Sequence, residues 1–187
     1  YPPVYPFLAL ASPFRAFSLM QSAHYIALGM GGWTLLRKGW GVARWSALAG
    51  GVMIMLTGAA VAQEAHPPFL WTLTWVPWLL WVQRRLLAGA RGSGPALAAL
   101  LAAQIGAGYM QLTVMTCMVM LGEALALQLG RPWKRAVSLF AVLAIALALG
   151  AGLQSVQFLS TRDMLPMTFR GRPDFNGFTQ LGYSLAQ

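Results

Sequence analysis

Acidic residues are nearly missing from this chain: four Asp and Glu stand against thirteen Lys and Arg in 187 residues, with two histidines and one cysteine, Cys117. Each scarcity excludes something. A lone cysteine forbids an internal disulfide framework, and no Cys or His pair falls at metal-ligand spacing. There is no Gly-rich phosphate loop and no nucleophile elbow. Charged residues make up 9% of the chain and hydrophobic ones 58%, with a mean hydropathy of +0.60. Too few polar groups exist to cover the surface of a soluble domain of this size, so the composition belongs in lipid. No basic segment with a short apolar core opens the sequence, so there is no signal peptide to discount; starting at Tyr1, the chain reads as a piece of something larger.

The basic residues that are present are grouped. Arg37, Lys38 and Arg44 form one cluster, Arg84, Arg85 and Arg91 a second, and Arg131, Lys134 and Arg135 a third. The gaps between them carry Glu64 and His66, or no charge. This alternation is the positive-inside pattern of a chain that crosses a bilayer repeatedly. The formal net charge of +9 equals the size of the three clusters, because the other basic residues are balanced by the acids. Basicity therefore reports orientation, and nucleic acid is not an expected partner.

The expected fold is all-α, a polytopic transmembrane helix bundle of about six spans. A crossing needs roughly 20 residues at 1.5 Å rise, which places spans at about 17–36, 43–62, 69–83, 94–107, 112–129 and 136–154. Residues 1–159 form the transmembrane domain and 160–187 a polar tail on the non-cytoplasmic side. Pro2, Pro3, Pro6 and Pro13 predict an extended entry without a helix. Gly29, Gly31 and Gly32 in the first span, with Gly50, Gly51 and Gly58 in the second, would let two backbones approach closely. Pro77 should kink the third span. Trp71, Trp75, Trp78 and Trp81 there recur at spacings of four, three and three, which places the indoles on one helical face. That face is either a packing stripe against other helices or the wall of a hydrophobic groove for a lipid, isoprenoid or pigment. The apolar run 94–129 is divided at Gly106-Ala107-Gly108-Tyr109-Met110-Gln111, because basic clusters on either side require an even number of crossings.

With this topology the polar residues outside the clusters fall on one side: Glu64 and His66 after the second span, Tyr109 and Gln111 at the break, Arg162 and Asp163 after the sixth. Each has a plain reading as a loop or interface residue. Together they make a candidate substrate site in which Arg162, with its planar fork, would meet a phosphorylated lipid head. Glu123, inside the fifth span, should reach the cytoplasmic interface or pair with a basic residue. His24, inside the first, is read as a helix-to-helix hydrogen-bonding group, with pigment or haem ligation as the lesser reading.

The Tyr1-Pro2-Pro3 entry, the span with His24 that ends at Arg37, Ala59 to Pro67 before Trp75-Val76-Pro77-Trp78, the Gly108-Tyr109-Met110-Gln111 turn and Ser160-Thr161-Arg162 resemble the bacterial YfhO-like membrane proteins of the GT-C glycosyltransferase type. The resemblance implies an integral protein of the bacterial inner membrane that transfers a sugar from a polyprenyl-phosphate donor to an extracytoplasmic acceptor. It also implies a catalytic acid in a first outer loop upstream of Tyr1, with a divalent metal only if that acid proves catalytic; no other cofactor is indicated. The turn departs from the family's Gly-His-Pro-Gln-like pattern, with Tyr109 where a histidine would stand. The alternative is a non-catalytic transmembrane subunit of a larger membrane complex that binds pigments or lipids. Membrane lipids and other membrane subunits are the expected partners in either case. A transporter is disfavoured by the near absence of charge within the spans and of an evident inverted repeat.

Overall fold

The computed structural model describes residues 5–10, 12–62, 66–128 and 133–164, and among them every regular element is helical. The helices are α1 (Tyr5–Leu10), α2 (Pro13–Thr34), α3 (Arg44–Met55), α4 (Gly58–Ala62), α5 (Pro67–Leu73), α6 (Val76–Leu87), α7 (Ser93–Gly106), α8 (Met110–Gln128), α9 (Trp133–Leu153) and α10 (Ser155–Met164). A π-type turn over Leu35–Gly39 prolongs α2. The chain divides into a compact unit up to Leu153 and a second unit from Gln154, whose described part is α10.

All-helical architecture agrees with the sequence reading, and two stretches are long and apolar enough to cross a membrane. These are Arg44–Ala62 and Met110–Gln128, each of 19 residues with mean hydropathy 1.6. Only 17% and 22% of their residues are buried, so neither is the enclosed core helix of a soluble protein. Met53, at 71% exposure, and Met118, at 68%, point outward. Ser93–Gly106 and Phe140–Leu153 are apolar but shorter.

The proline-rich entry differs from expectation, since α1 and the start of α2 are helical. Proline is tolerated in a first helical turn, where its missing N–H has no intrahelical partner to lose; Pro13 occupies that place in α2. Two expected spans are interrupted. The second stops at Met55 and resumes at Gly58, where Thr57 Oγ1 accepts the Ala60 N–H at 3.4 Å. The third breaks at Thr74-Trp75 and resumes at Val76, one residue before Pro77. Pro77 has no N–H for the Leu73 carbonyl, so the ladder fails one turn upstream of the ring.

Two packing regions result. In the first, α2 lies against α3 at glycines: a Cβ on Gly51 would stand 2.7 Å from the Gly29 carbonyl oxygen and 3.0 Å from the Trp33 nitrogen. That is backbone against backbone, the close approach the small residues predict. Leu28, Ala60 and Leu70 form a small core between α2, α4 and α5. In the second, Leu79 and Val82 of α6 meet Leu97, Leu101 and Ile105 of α7, Met120 of α8 and Leu143 of α9. There α9 seats on α7 through Gly150, whose Cβ would lie 2.8 Å from the Ala98 carbonyl oxygen.

Candidate functional site

Trp71 donates its indole N–H to Gln21 Oε1 at 3.2 Å, and Trp78 donates to the Ala27 carbonyl at 2.9 Å. Both acceptors belong to α2. His24 of the same helix lies 5.9 Å from Trp71 and edge-on to Trp75 at 6.4 Å, and its Nδ1–H donates to the Met20 carbonyl at 2.8 Å. Gly31 provides the seat for Trp78, since a Cβ there would come within 2.5 Å of the indole nitrogen. Indole N–H groups inside a protein need acceptors, and here two of them find one on α2. Trp71 and Trp78 of the stripe thus pack against α2. Trp81 lies 6.0 Å from Trp78 at the basic end of α6.

The candidate polar site is only partly assembled within the described residues. His66 is exposed, immediately before Pro67-Pro68 at the start of α5. Tyr109, in the turn between α7 and α8, stacks edge-on against Phe69 of α5 at 5.3 Å, and its backbone N–H donates to Thr72 Oγ1 at 3.3 Å. The turn is thus fastened to the helix that His66 precedes. Gln111 is exposed on the first turn of α8. Arg162 belongs to the second unit, where it pairs with Asp163 at 3.1 Å on the exposed face of α10. Glu64 lies outside the described residues.

Sequence reasoning missed a set of buried polar groups beneath this end. Gln104 of α7 is fully buried and donates to Thr116 Oγ1 of α8 at 2.9 Å and to the Thr72 carbonyl of α5 at 3.3 Å. Thr116 in turn donates to the Leu112 carbonyl at 2.8 Å. One amide therefore ties three helices, which is how polar residues hold helices together in lipid. Its Oε1 has no partner among the described residues. The signal was present in the sequence, as a glutamine in the middle of an otherwise apolar run.

At the opposite end of α6, Arg84 meets Glu123 of α8. The Arg84 Nη2 to Glu123 Oε1 separation is 2.6 Å, and Gln83 donates to Oε2 at 3.3 Å and to the Met120 carbonyl at 2.8 Å. Glu123 thus takes the paired alternative that the sequence left open for it. Arg84 also donates through Nη1 to the Gly39 carbonyl at 3.1 Å, which ties the end of the first long helix to α6.

Cavities lie between and along these helices. One of about 470 Å³ is an apolar groove between α7, α8 and α9, lined by residues such as Leu101, Ile105, Met110, Val114, Cys117 and Leu147. A second, of about 290 Å³, lies at the basic end and is lined by Lys38, Trp81, Arg84 and Arg85. A third, of about 320 Å³, runs along Phe17, Gln21 and Tyr25 of α2. His66 and Gln111 line none of them. Among the described residues no group of three His, Cys, Asp or Glu is placed to hold a metal ion. No protein-family model, curated protein or solved structure matches the chain.

Proposed function

We propose that this chain is the membrane-embedded part of a GT-C-type glycosyltransferase that takes a sugar from a polyprenyl-phosphate donor and passes it to an extracytoplasmic acceptor. One observation carries the reading. The apolar groove of about 470 Å³ reaches Met110, the residue between Tyr109 and Gln111 in the turn expected at the outer membrane face. An isoprenoid chain laid along Val114 and Leu147 would bring its phosphate to that turn. Flexible Met110, Met118 and Met120 on the wall suit a long, irregular apolar ligand. Gln111 and Tyr109 would orient the head, with His66 beside the acceptor. Six crossings belong to the same proposal, with α3–α4 and α8 as the two that satisfy length and hydropathy without help.

A second reading is favoured by a different observation: Trp71 and Trp78 already hydrogen-bond to α2, which is what a non-catalytic transmembrane subunit would need for rigidity. Native mass spectrometry of the protein in lipid nanodiscs, with undecaprenyl phosphate as probe, separates the two when combined with transfer of a radiolabelled sugar from undecaprenyl-phosphate donor. The transferase reading expects retained probe that Val114→Trp and Leu147→Trp displace, together with transfer lowered by Gln111→Ala. Binding unaffected by either tryptophan would remove the groove from the proposal. No transfer by the full-length protein would leave the subunit reading standing.

A further inference from the structure

We infer that the basic end of α6 holds a binding pocket for an anionic phosphate group, supplied by a lipid headgroup at the membrane surface and separate from the groove between α7, α8 and α9. The pocket of about 290 Å³ is built from the end of the first long helix and the last turn of α6: Lys38, Gly39, Trp81, Arg84 and Arg85 line it, with Leu87 and Leu127 on its apolar side. Three cations sharing a small cavity repel one another, and the structure answers only one. Arg84 is held by Glu123, whose second oxygen takes the Gln83 amide. Lys38 and Arg85 have no carboxylate within ion-pair distance among the described residues. Both are instead drawn to the same ring, Lys38 Nζ at 5.9 Å and Arg85 Cζ at 5.1 Å from the Trp81 centroid.

This arrangement fits a phosphodiester anion. The ring keeps two long side chains at one place, which lowers the ordering cost of binding. A guanidinium offers bidentate donors and an ammonium a compact charge, the two chemistries that recognise phosphate. Leu87 and Leu127 give the glycerol and the first methylenes of a lipid an apolar floor. Basic pockets between membrane helices at the headgroup level are where anionic lipids are expected to bind. A free phosphate would satisfy the same donors but would not use the floor.

The test compares the intact protein in nanodiscs of phosphatidylcholine alone and of phosphatidylcholine with a minority of phosphatidylglycerol, scoring retained lipid by native mass spectrometry, with inorganic phosphate titrated in parallel in detergent. Enrichment of phosphatidylglycerol is expected, reduced at least about tenfold in Lys38→Gln/Arg85→Gln, since losing even one direct charge-assisted bond to the phosphate costs about that factor. Lys38→Arg/Arg85→Lys should keep it. So should Arg44→Gln/Arg91→Gln, which removes the same charge from exposed positions outside the pocket. Inorganic phosphate that binds through Lys38 and Arg85 without lipid enrichment would assign the pocket to a soluble phosphate instead and overturn the lipid source. Equal losses in both Gln pairs, or no binding of either probe, would overturn the site.

Discussion

The region around α2, α3, α5 and α6 and the region around α7, α8 and α9 use the same apolar alphabet to different ends. In the first, glycines bring backbones into contact, and Trp71 and Trp78 donate across to α2. In the second, a glutamine and a threonine tie helices at one level, and beside them α8 and α9 leave a groove of about 470 Å³. Lipid tails are as apolar as leucine, so burying apolar surface does little to choose between a filled and an open interface in a membrane. Close packing and polar ties choose: both regions have a close glycine contact, at Gly51 and at Gly150, and the first has more of the polar ties.

The largest test of this contrast is a bulky residue at a backbone contact. Gly51→Leu should destabilise the protein in detergent by about 3 kcal/mol or abolish folding, because the new Cβ meets the Gly29 carbonyl, which cannot move as a side chain tip would. Gly122→Leu, where a Cβ meets nothing within 4 Å, should be close to neutral in the same unfolding assay. Equal effects would erase the distinction.

Next in size is the tie between α6 and α8. The side chains of Arg84 and Glu123 are 26% and 14% exposed, so the pair is more shielded than a surface ion pair. A double-mutant cycle with Arg84→Gln and Glu123→Gln should give a coupling of about 2 kcal/mol. A value below roughly 0.5 kcal/mol would class it with exposed pairs.

Thr116→Val should cost about 1 kcal/mol, within the range of polar contacts between membrane helices, and Gln104→Leu should cost less than that. The leucine also removes the unpartnered Oε1, which sits buried without a donor. A glutamine deletion that proved the costlier of the two would mean that this oxygen is satisfied by a group such as water. Smallest of all, Val114→Trp should change stability by less than about 0.5 kcal/mol, since the indole enters open space in the groove; a large loss would show the groove to be closed in the folded protein.

Much of this was legible in the sequence, for reasons that differ by residue. Apolar runs bounded by Arg37, Arg84 and Gly108 locate helix ends because hydropathy and turn chemistry are local. The break before Pro77 follows from a missing N–H. The interruption at Leu56-Thr57 had no such marker, since neither residue forbids a helix, and neither did the helical start of the entry. Partners were harder to read. The pairing of Glu123 with Arg84 and of Gln104 with Thr72 and Thr116 depends on which faces meet across α5, α6, α7 and α8. A Trp stripe at helical spacing is the same in sequence whether it packs or lines a groove; only the acceptors on α2 distinguish the two.

In the proposed topology the His66 and Tyr109 end and the Lys38 and Arg85 end of the bundle lie at opposite faces of a bilayer. From His66 to Arg85 the chain climbs roughly 30 Å of helix through α5 and α6, close to the hydrocarbon thickness. Single cysteines introduced at positions 38, 66, 85 and 109, with Cys117 replaced by alanine, can be labelled by membrane-impermeant reagents in intact cells and in inverted vesicles. Positions 66 and 109 should react only from outside and positions 38 and 85 only from the cytoplasm. Labelling of positions 66 and 85 from the same side would contradict the account.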